Sequence, residues 1–374
     1  MGEPYWLDEP AEPLRGARLD GAVDVAVVGG GVTGLSCALT LAEGGLRVRA
    51  HEARTVASGA SGRNGGFALR GGAMPYHRAR QRLGAERAAG LWRLTERTLD
   101  RMEGLAGDAL RRVGSLRLAA DMEERDELLA EHAALREDGF ALEWIDEPAG
   151  RLAGRYAGGL VHPHDGSLHP GRWIRRLATH AADAGVEIRE HDRIASLDDL
   201  EADTVVLAND GYPSGLVGAM DEFVRPTRGQ VIATEPIGEA LYERPHYARR
   251  GFDYWQQLSD GRLVIGGRRD TDPEAEATAE EGITSEVQTA LETLIRELVG
   301  RVPAITHRWS GIFGTSPDEL PIVGPVPGHD RVWTSRGYSG HGNVLGLACG
   351  DLVGKAILGR REPELELFDP ARLL

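Results

Sequence analysis

Apolar positions change their spacing several times along this chain, and each change predicts a different element. From Val23 to Val28 they run almost unbroken and are mostly β-branched, with Asp24 the one polar interruption. That pattern predicts a buried parallel strand. A second short apolar stretch, Leu46 to Ala50, predicts its neighbour. Between Pro75 and Gly139 the spacing becomes helical (Leu91, Leu94, Leu99, Met102, Leu105) around a strand-like Ser115 to Leu118, and the repeated charges read as solvated faces of a cap. An amphipathic helix is expected from Gly171 to Ala184, stopped by Gly185, with strands at Val186 to Arg189 and Thr204 to Ala208. Residues 223–270 switch to strands without helices between them: Val231 to Thr234, Asp253 to Leu258 and Arg262 to Gly266, joined by turns such as Ser259 to Gly261. A helix from Ile283 to Val299 and an extended Thr306 to Phe313 complete that part. The strand-like Arg331 to Thr334 and a helix from Asn343 to Leu358 return to the first.

This order predicts an α/β chain with two interleaved domains. A doubly wound, Rossmann-type nucleotide-binding domain takes residues 1–74, 150–222 and 318–374, and an antiparallel-sheet substrate or cap domain takes 75–149 and 223–317. A length of 374 residues agrees with more than one core.

Candidate chemistry begins where the first strand breaks. Gly29, Gly31 and Gly34 have the G-x-G-x-x-G spacing, in which the first allows the turn, the second admits a pyrophosphate and the third lets helix and strand approach. The phosphates are expected on the helix N-terminus. Glu52 stands 23 residues after Gly29, where such folds bind an adenosine ribose. The run from Ala57 to Gly66 is too rich in glycine for a helix, so its amides and Arg63 are expected to cradle a phosphate or a polar ring edge. Gly337 to Gly342 opens the last helix in the same manner, which aims two helix N-termini at one ligand.

Composition narrows the partners. Hydrophobic content of 41% with 27% charged residues is that of a soluble globular chain, and no apolar run is long enough to span a membrane. Met1 to Asp20 is acidic and proline-bearing rather than a targeting segment, so a cytoplasmic location is expected. A net charge of −15 argues against nucleic acid and tolerates cationic substrates. Cys37 and Cys349 lie inside predicted helices without C-x-x-C spacing, which predicts buried thiols rather than a disulfide, zinc or other metal site. Of 43 basic residues only Lys355 is a lysine.

With Tyr5 and Trp6, the glycine turn, Ser58 to Gly66, Arg228 to Gln230, Gly261 to Gly267, Trp309 to Gly324 and Gly337 to Gly342 in place, nearly the whole chain resembles one family. It is similar to the FAD-dependent amine oxidoreductases of the glycine oxidase, D-amino-acid oxidase and sarcosine oxidase type, most of all to γ-glutamylputrescine oxidoreductase-like enzymes. The resemblance implies non-covalent FAD. It places Gly29, Gly31, Gly34, Glu52 and Arg54 at the adenosine diphosphate. Ser61, Arg63, Asn64, Gly65, Gly340, Gly342 and Asn343 would lie along the flavin and ribityl chain. A strand from Arg193 to Leu197 would pass the adenine through Ile194, and Ala208 with Asn209 would approach the pyrophosphate, although the family more often has Ala-Thr-Gly there.

The implied reaction is hydride transfer from the carbon beside a neutral amine to the flavin, giving an imine that water hydrolyses to a carbonyl compound, with oxygen or another acceptor taking the electrons. The positive end of the helix beginning near Asn343 suits a ring that gains negative charge. Tentative substrate-pocket residues are His341, Tyr254, Phe313 and Arg70, with Trp255 expected on the opposite face of its strand from Tyr254. Position by position, the family's carboxylate anchors fall on Phe313 and Val344, its oxygen-activating lysine on Val264, and the flavin-linking cysteine of sarcosine-type relatives on Gly311. Both anchors are apolar, which favours an amine whose reacting carbon bears no carboxylate, such as a polyamine derivative, unless Arg63 or Arg70 substitutes. The alternatives are an amino-acid or N-methyl amino-acid oxidase or dehydrogenase of the same family, or the flavin subunit of an electron-transfer complex. A nicotinamide-dependent dehydrogenase would need a second G-x-G-x-x-G at a strand–helix junction, and none is found.

Overall fold

The computed structural model describes residues 2–374. The apolar run forms the strand Val23–Val28 at the middle of a six-stranded sheet, ordered Ile322–Pro325, Val332–Arg336, Ala202–Leu207, Val23–Val28, Val48–His51 and Glu187–Arg189. Its pairings are parallel except for the first, where Ile322–Pro325 runs antiparallel on the edge. Strands from distant parts of the chain thus rejoin one doubly wound sheet, as the return of short β-branched runs predicts.

A second sheet has eight strands, from Ile305–Thr315 at one edge to Glu143–Ile145 at the other, antiparallel except where His246–Ala248 runs beside Ser115–Leu118. The helix Ser285–Val299 packs on one face through Val287, Leu291, Leu294 and Ile295 against Ile232, Trp255 and Ile265. The opposite face looks toward the first sheet and its helices. A small third sheet joins Phe67–Ala68, Gly166–Leu168 and Leu110–Arg111.

Four expectations are corrected. Residues 150–222 do not all follow the first sheet: Gly159–His162 pairs with Ser115–Leu118, and Leu116 and Val161 are buried in the second core. Likewise the helix Ala85–Ala106, expected in the cap, buries Leu91, Leu94, Leu99 and Met102 in the core of the first domain. The glycine-rich run does hold a helical turn, Ala60–Arg63. A Cβ at Gly62 would collide with the Ala57 carbonyl, so glycine is what lets the turn close, and Asn64 Nδ2 caps it by donating to the carbonyls of Ala60 and Ser61. Arg193 to Leu197 is no strand, because Ser196 and Asp199 form a capping box that draws the chain into the turn Leu197–Asp199.

Candidate active site

At the end of the first strand Gly29 adopts φ +115°, a conformation that favours glycine, and its N–H donates to the His51 carbonyl at 2.8 Å. A Cβ there would lie 2.5 Å from the Ala208 carbonyl oxygen, and one on Gly34 would strike the Gly29 carbonyl. The first and third glycines are therefore packing requirements. Glu52 is fixed beside this turn, its carboxylate accepting from the Gly30 N–H and the Arg54 N–H, each at 2.9 Å. Ser61 Oγ accepts from the Val32 N–H at 3.0 Å and ties the second glycine loop to the first helix.

The first helix, Val32–Glu43, and the last, Gly342–Ile357, lie side by side and point the same way. Gly346 rests on Thr33, Gly350 on Thr33 and Ser36, and Gly354 on Thr40, so the contact advances in step along both helices. Ser36 Oγ donates to the Leu347 carbonyl and Thr40 Oγ1 to Asp351 Oδ1, both at 2.7 Å. Both N-termini consequently open at one end, which is the arrangement an anionic dinucleotide needs. Among the described residues, Ser58 Oγ and Asn209 Oδ1 are buried without a protein partner. The glycine cradle, the fixed carboxylate and these unpaired oxygens fit an adenine dinucleotide.

The loop beyond the cradle is held by two tryptophans. Trp6 Nε1 donates to the Asn64 carbonyl and Trp309 Nε1 to the Arg63 carbonyl, each at 2.8 Å. From there a cavity of about 710 Å³ extends to the open face of the eight-stranded sheet. Alternation along the strands decides which side chains reach it. Arg117, Tyr247, Tyr254 and Gly266 are paired across four strands in one row, and Arg117, Tyr247 and Tyr254 line the cavity while Trp255 turns to the opposite core. Tyr254 stands between Gly266 and Gly65, either of which would clash with its ring if it carried a Cβ. Its ring also meets Phe67 edge-on at 5.8 Å, and burial raises its hydroxyl to about 12. Phe313, His341 and Asn343 complete the wall.

Among the described residues His341 Nδ1 has no hydrogen-bond partner. Burial first, then the nearby Arg117, lower this imidazole to about 4. It is neutral at neutral pH.

Several expected residues point elsewhere. The Arg54 guanidinium is taken by Glu281 at 2.8 Å, by the Ser58 carbonyl and by Tyr212, so its backbone N–H, not its charge, faces the cradle. Arg63 does not cradle an anion with its side chain, which is buried and bonds the Ser310 carbonyl at 2.7 Å and Glu281 at 3.4 Å. Arg70 reaches the cavity wall but is held by Glu96 at 2.5 Å and Asp165 at 3.3 Å. Neither can substitute freely as an anchor for a substrate carboxylate. Ile194 packs half-buried beside the first sheet, and Ala208 donates its N–H to the Val28 carbonyl at 2.8 Å. Gly340 lines the cavity and Gly342 begins the last helix.

Two functional candidates escaped the sequence reading. Arg117 sits mid-strand in Ser115–Leu118, where alternation marks it as facing away from Leu116 and Leu118. Arg269 follows the glycine pair that ends Leu263–Gly267, and only the three-dimensional arrangement brings it beside Phe313. Among the described residues no group of three or more His, Cys, Asp or Glu is placed to hold a metal ion, and no helix is long and apolar enough to cross a membrane.

A nucleotide cradle of this kind, opening into a cavity under an antiparallel sheet, defines a flavin-binding oxidoreductase fold. The profile of the FAD dependent oxidoreductase family matches residues 24–356, and the chain belongs to that family. FAD is its cofactor. It is 28% identical to a probable oxidoreductase OrdL of Haemophilus influenzae over 92% of this chain and 85% of the relative. It is equally 28% identical to the γ-glutamylputrescine oxidoreductase of Escherichia coli, again over 92% and 85%. Its fold is similar to the crystal structure of glycine oxidase from Geobacillus kaustophilus, with a TM-score of 0.75 and 24% identity over 94% of this chain and 99% of that one.

Proposed function

We propose that this oxidoreductase oxidises the carbon–nitrogen bond of a small amine, yielding an imine that hydrolyses to a carbonyl compound. The observation that supports this best is the meeting of the dinucleotide cradle with an aromatic-walled cavity into which His341 brings a neutral imidazole whose buried Nδ1 is unpartnered. FAD, when bound, supplies the hydride acceptor. The chain's own residues prepare the substrate. Tyr254 and Phe313 form a wall that seats an apolar stem and keeps water from the reacting carbon. His341 Nδ1 offers an acceptor for an amine N–H. The burial that holds His341 neutral, with Arg117 and Arg269 adding to it, also disfavours a substrate ammonium, so the amine loses its proton and presents the lone pair that hydride departure requires. Likeness to γ-glutamylputrescine oxidoreductase and to glycine oxidase supports amines and amino acids as the substrate range.

The test is product analysis: FAD-loaded protein incubated in air with amines should form a carbonyl compound, trapped as its hydrazone, together with ammonia or a shorter amine in equal amount. Absence of both across primary and secondary amines and amino acids would remove this reading.

A further inference from the structure

Six arginines line the cavity, and five of them face a carboxylate within 3.8 Å. Arg269 is the sixth. Among the described residues it has no carboxylate partner. Its only hydrogen bond among these residues is a long one from Nη1 to the Gly251 carbonyl, at 3.4 Å. The neighbouring Asp270 is already engaged by Arg249. The guanidinium instead lies over the ring of Phe252, 4.2 Å from its centroid, and 5.8 Å from that of Phe313.

A guanidinium placed over aromatic rings and bonded only weakly through one nitrogen keeps donors for a ligand, and a bidentate carboxylate is the ligand that matches their geometry. Desolvation lowers the pKa of this arginine, with Tyr254 and Asp270 offsetting part of the effect, so an incoming anion would relieve a cost that the protein itself leaves uncompensated. Water alone is a poor substitute beside two phenyl faces.

We propose that Arg269 is the substrate-anion anchor of this enzyme, and that its preferred substrates are amines carrying a carboxylate. This rests on the amine-oxidation reading above. It reverses the expectation drawn from Phe313 and Val344: the strand Ile305–Thr315 supplies an apolar wall, and the cation reaches the cavity from the turn after Leu263–Gly267. The separation between nitrogen and carboxylate is then set by how far Arg269 stands from the reacting carbon, and a graded series of amino acids measures it.

The experiment uses FAD-loaded full-length protein and needs no turnover. Benzoate and its uncharged isostere benzamide are titrated while the flavin absorption spectrum is followed. Benzoate should bind at least about 30-fold more tightly than benzamide, as a charge-assisted bidentate pair requires. Equal affinities for the two in the wild-type protein would overturn the proposal whether or not any variant folds. In Arg269→Met that preference should vanish, and in Arg269→Lys it should fall but survive. A variant retaining both its flavin and the full preference for benzoate would also overturn it. In anaerobic reduction, glycine, β-alanine or 4-aminobutyrate should exceed methylamine, ethylamine or propylamine respectively in kcat/KM by a similar factor for at least one pair. Faster reduction by every carboxylate-free member would overturn the anchor while leaving amine oxidation standing. If nothing reduces the flavin yet benzoate still binds through Arg269, the reaction reading fails and the anion site remains.

Discussion

The side-chain amides of Asn64 and Asn343 bond to each other in both directions, at 3.1 and 3.0 Å, across 279 residues of chain. Asn343 Nδ2 also donates to the Phe67 carbonyl at 2.7 Å. This pair locks the second glycine loop to the first turn of the last helix and joins two sides of the cavity wall. Asn343→Ala removes these bonds and leaves Asn64 partly unpaired, a loss of about 1–3 kcal/mol. The expected result is a roughly tenfold or greater weakening of FAD binding, read by fluorescence titration of the apoprotein. Unchanged affinity would mean that the loop is held by Trp6 and Trp309 alone.

Gly34→Ala should yield protein that does not retain FAD, because its methyl group must displace the Gly29 carbonyl that shapes the turn. Gly90→Ala, in the helix Ala85–Ala106 with open space around it, is the control. It should raise stability by about 0.5–1 kcal/mol. Flavin content after gel filtration and thermal melts distinguish the two.

Acidification should destabilise the fold before carboxylates titrate. Burial is the leading cause that depresses the buried His162 and His246, the latter to about 4, with Arg70 and Arg117 adding to the effect at His162. The unfolded chain therefore takes up protons below the ordinary histidine range while the folded one does not. The stabilisation is complete above about pH 6.5. It is lost as pH falls toward 4, at no more than about 1.4 kcal/mol per group per pH unit. Melting temperature should drop between pH 7.5 and pH 5; a flat profile would contradict the burial of these rings.

FAD should be released by acid precipitation. Cys37 and Cys349 are buried on the facing helices Val32–Glu43 and Gly342–Ile357, and neither lines the cavity. Gly311 offers no nucleophile. A yellow supernatant is expected, and a pellet that keeps its colour would show a covalent link.

Local patterns made the dinucleotide half readable. An apolar run broken by correctly spaced glycines, with Glu52 at the next strand end, has few alternative folds, and its elements appear within a few residues of expectation. Alternation also separated Tyr254 from Trp255. What escaped was pairing between distant segments. Nothing near Arg70 in the sequence announces Asp165, nothing near Arg63 announces Glu281, and the lack of such a partner at Arg269 is visible only when the whole cavity is assembled. The placement of Gly159–His162 failed for the same reason, since its strand partners lie more than 40 residues away in Ser115–Leu118.

The central claim is that this cavity delivers a neutral amine to a bound flavin. Anaerobic mixing of the FAD-loaded protein with a panel of amines and amino acids tests it most directly, with loss of the oxidised flavin band as the signal. At least one amine should bleach the band completely, and a carboxylate-bearing amine should do so fastest. A flavin that stays oxidised with every member of the panel, yet is reduced normally by dithionite, would contradict the account.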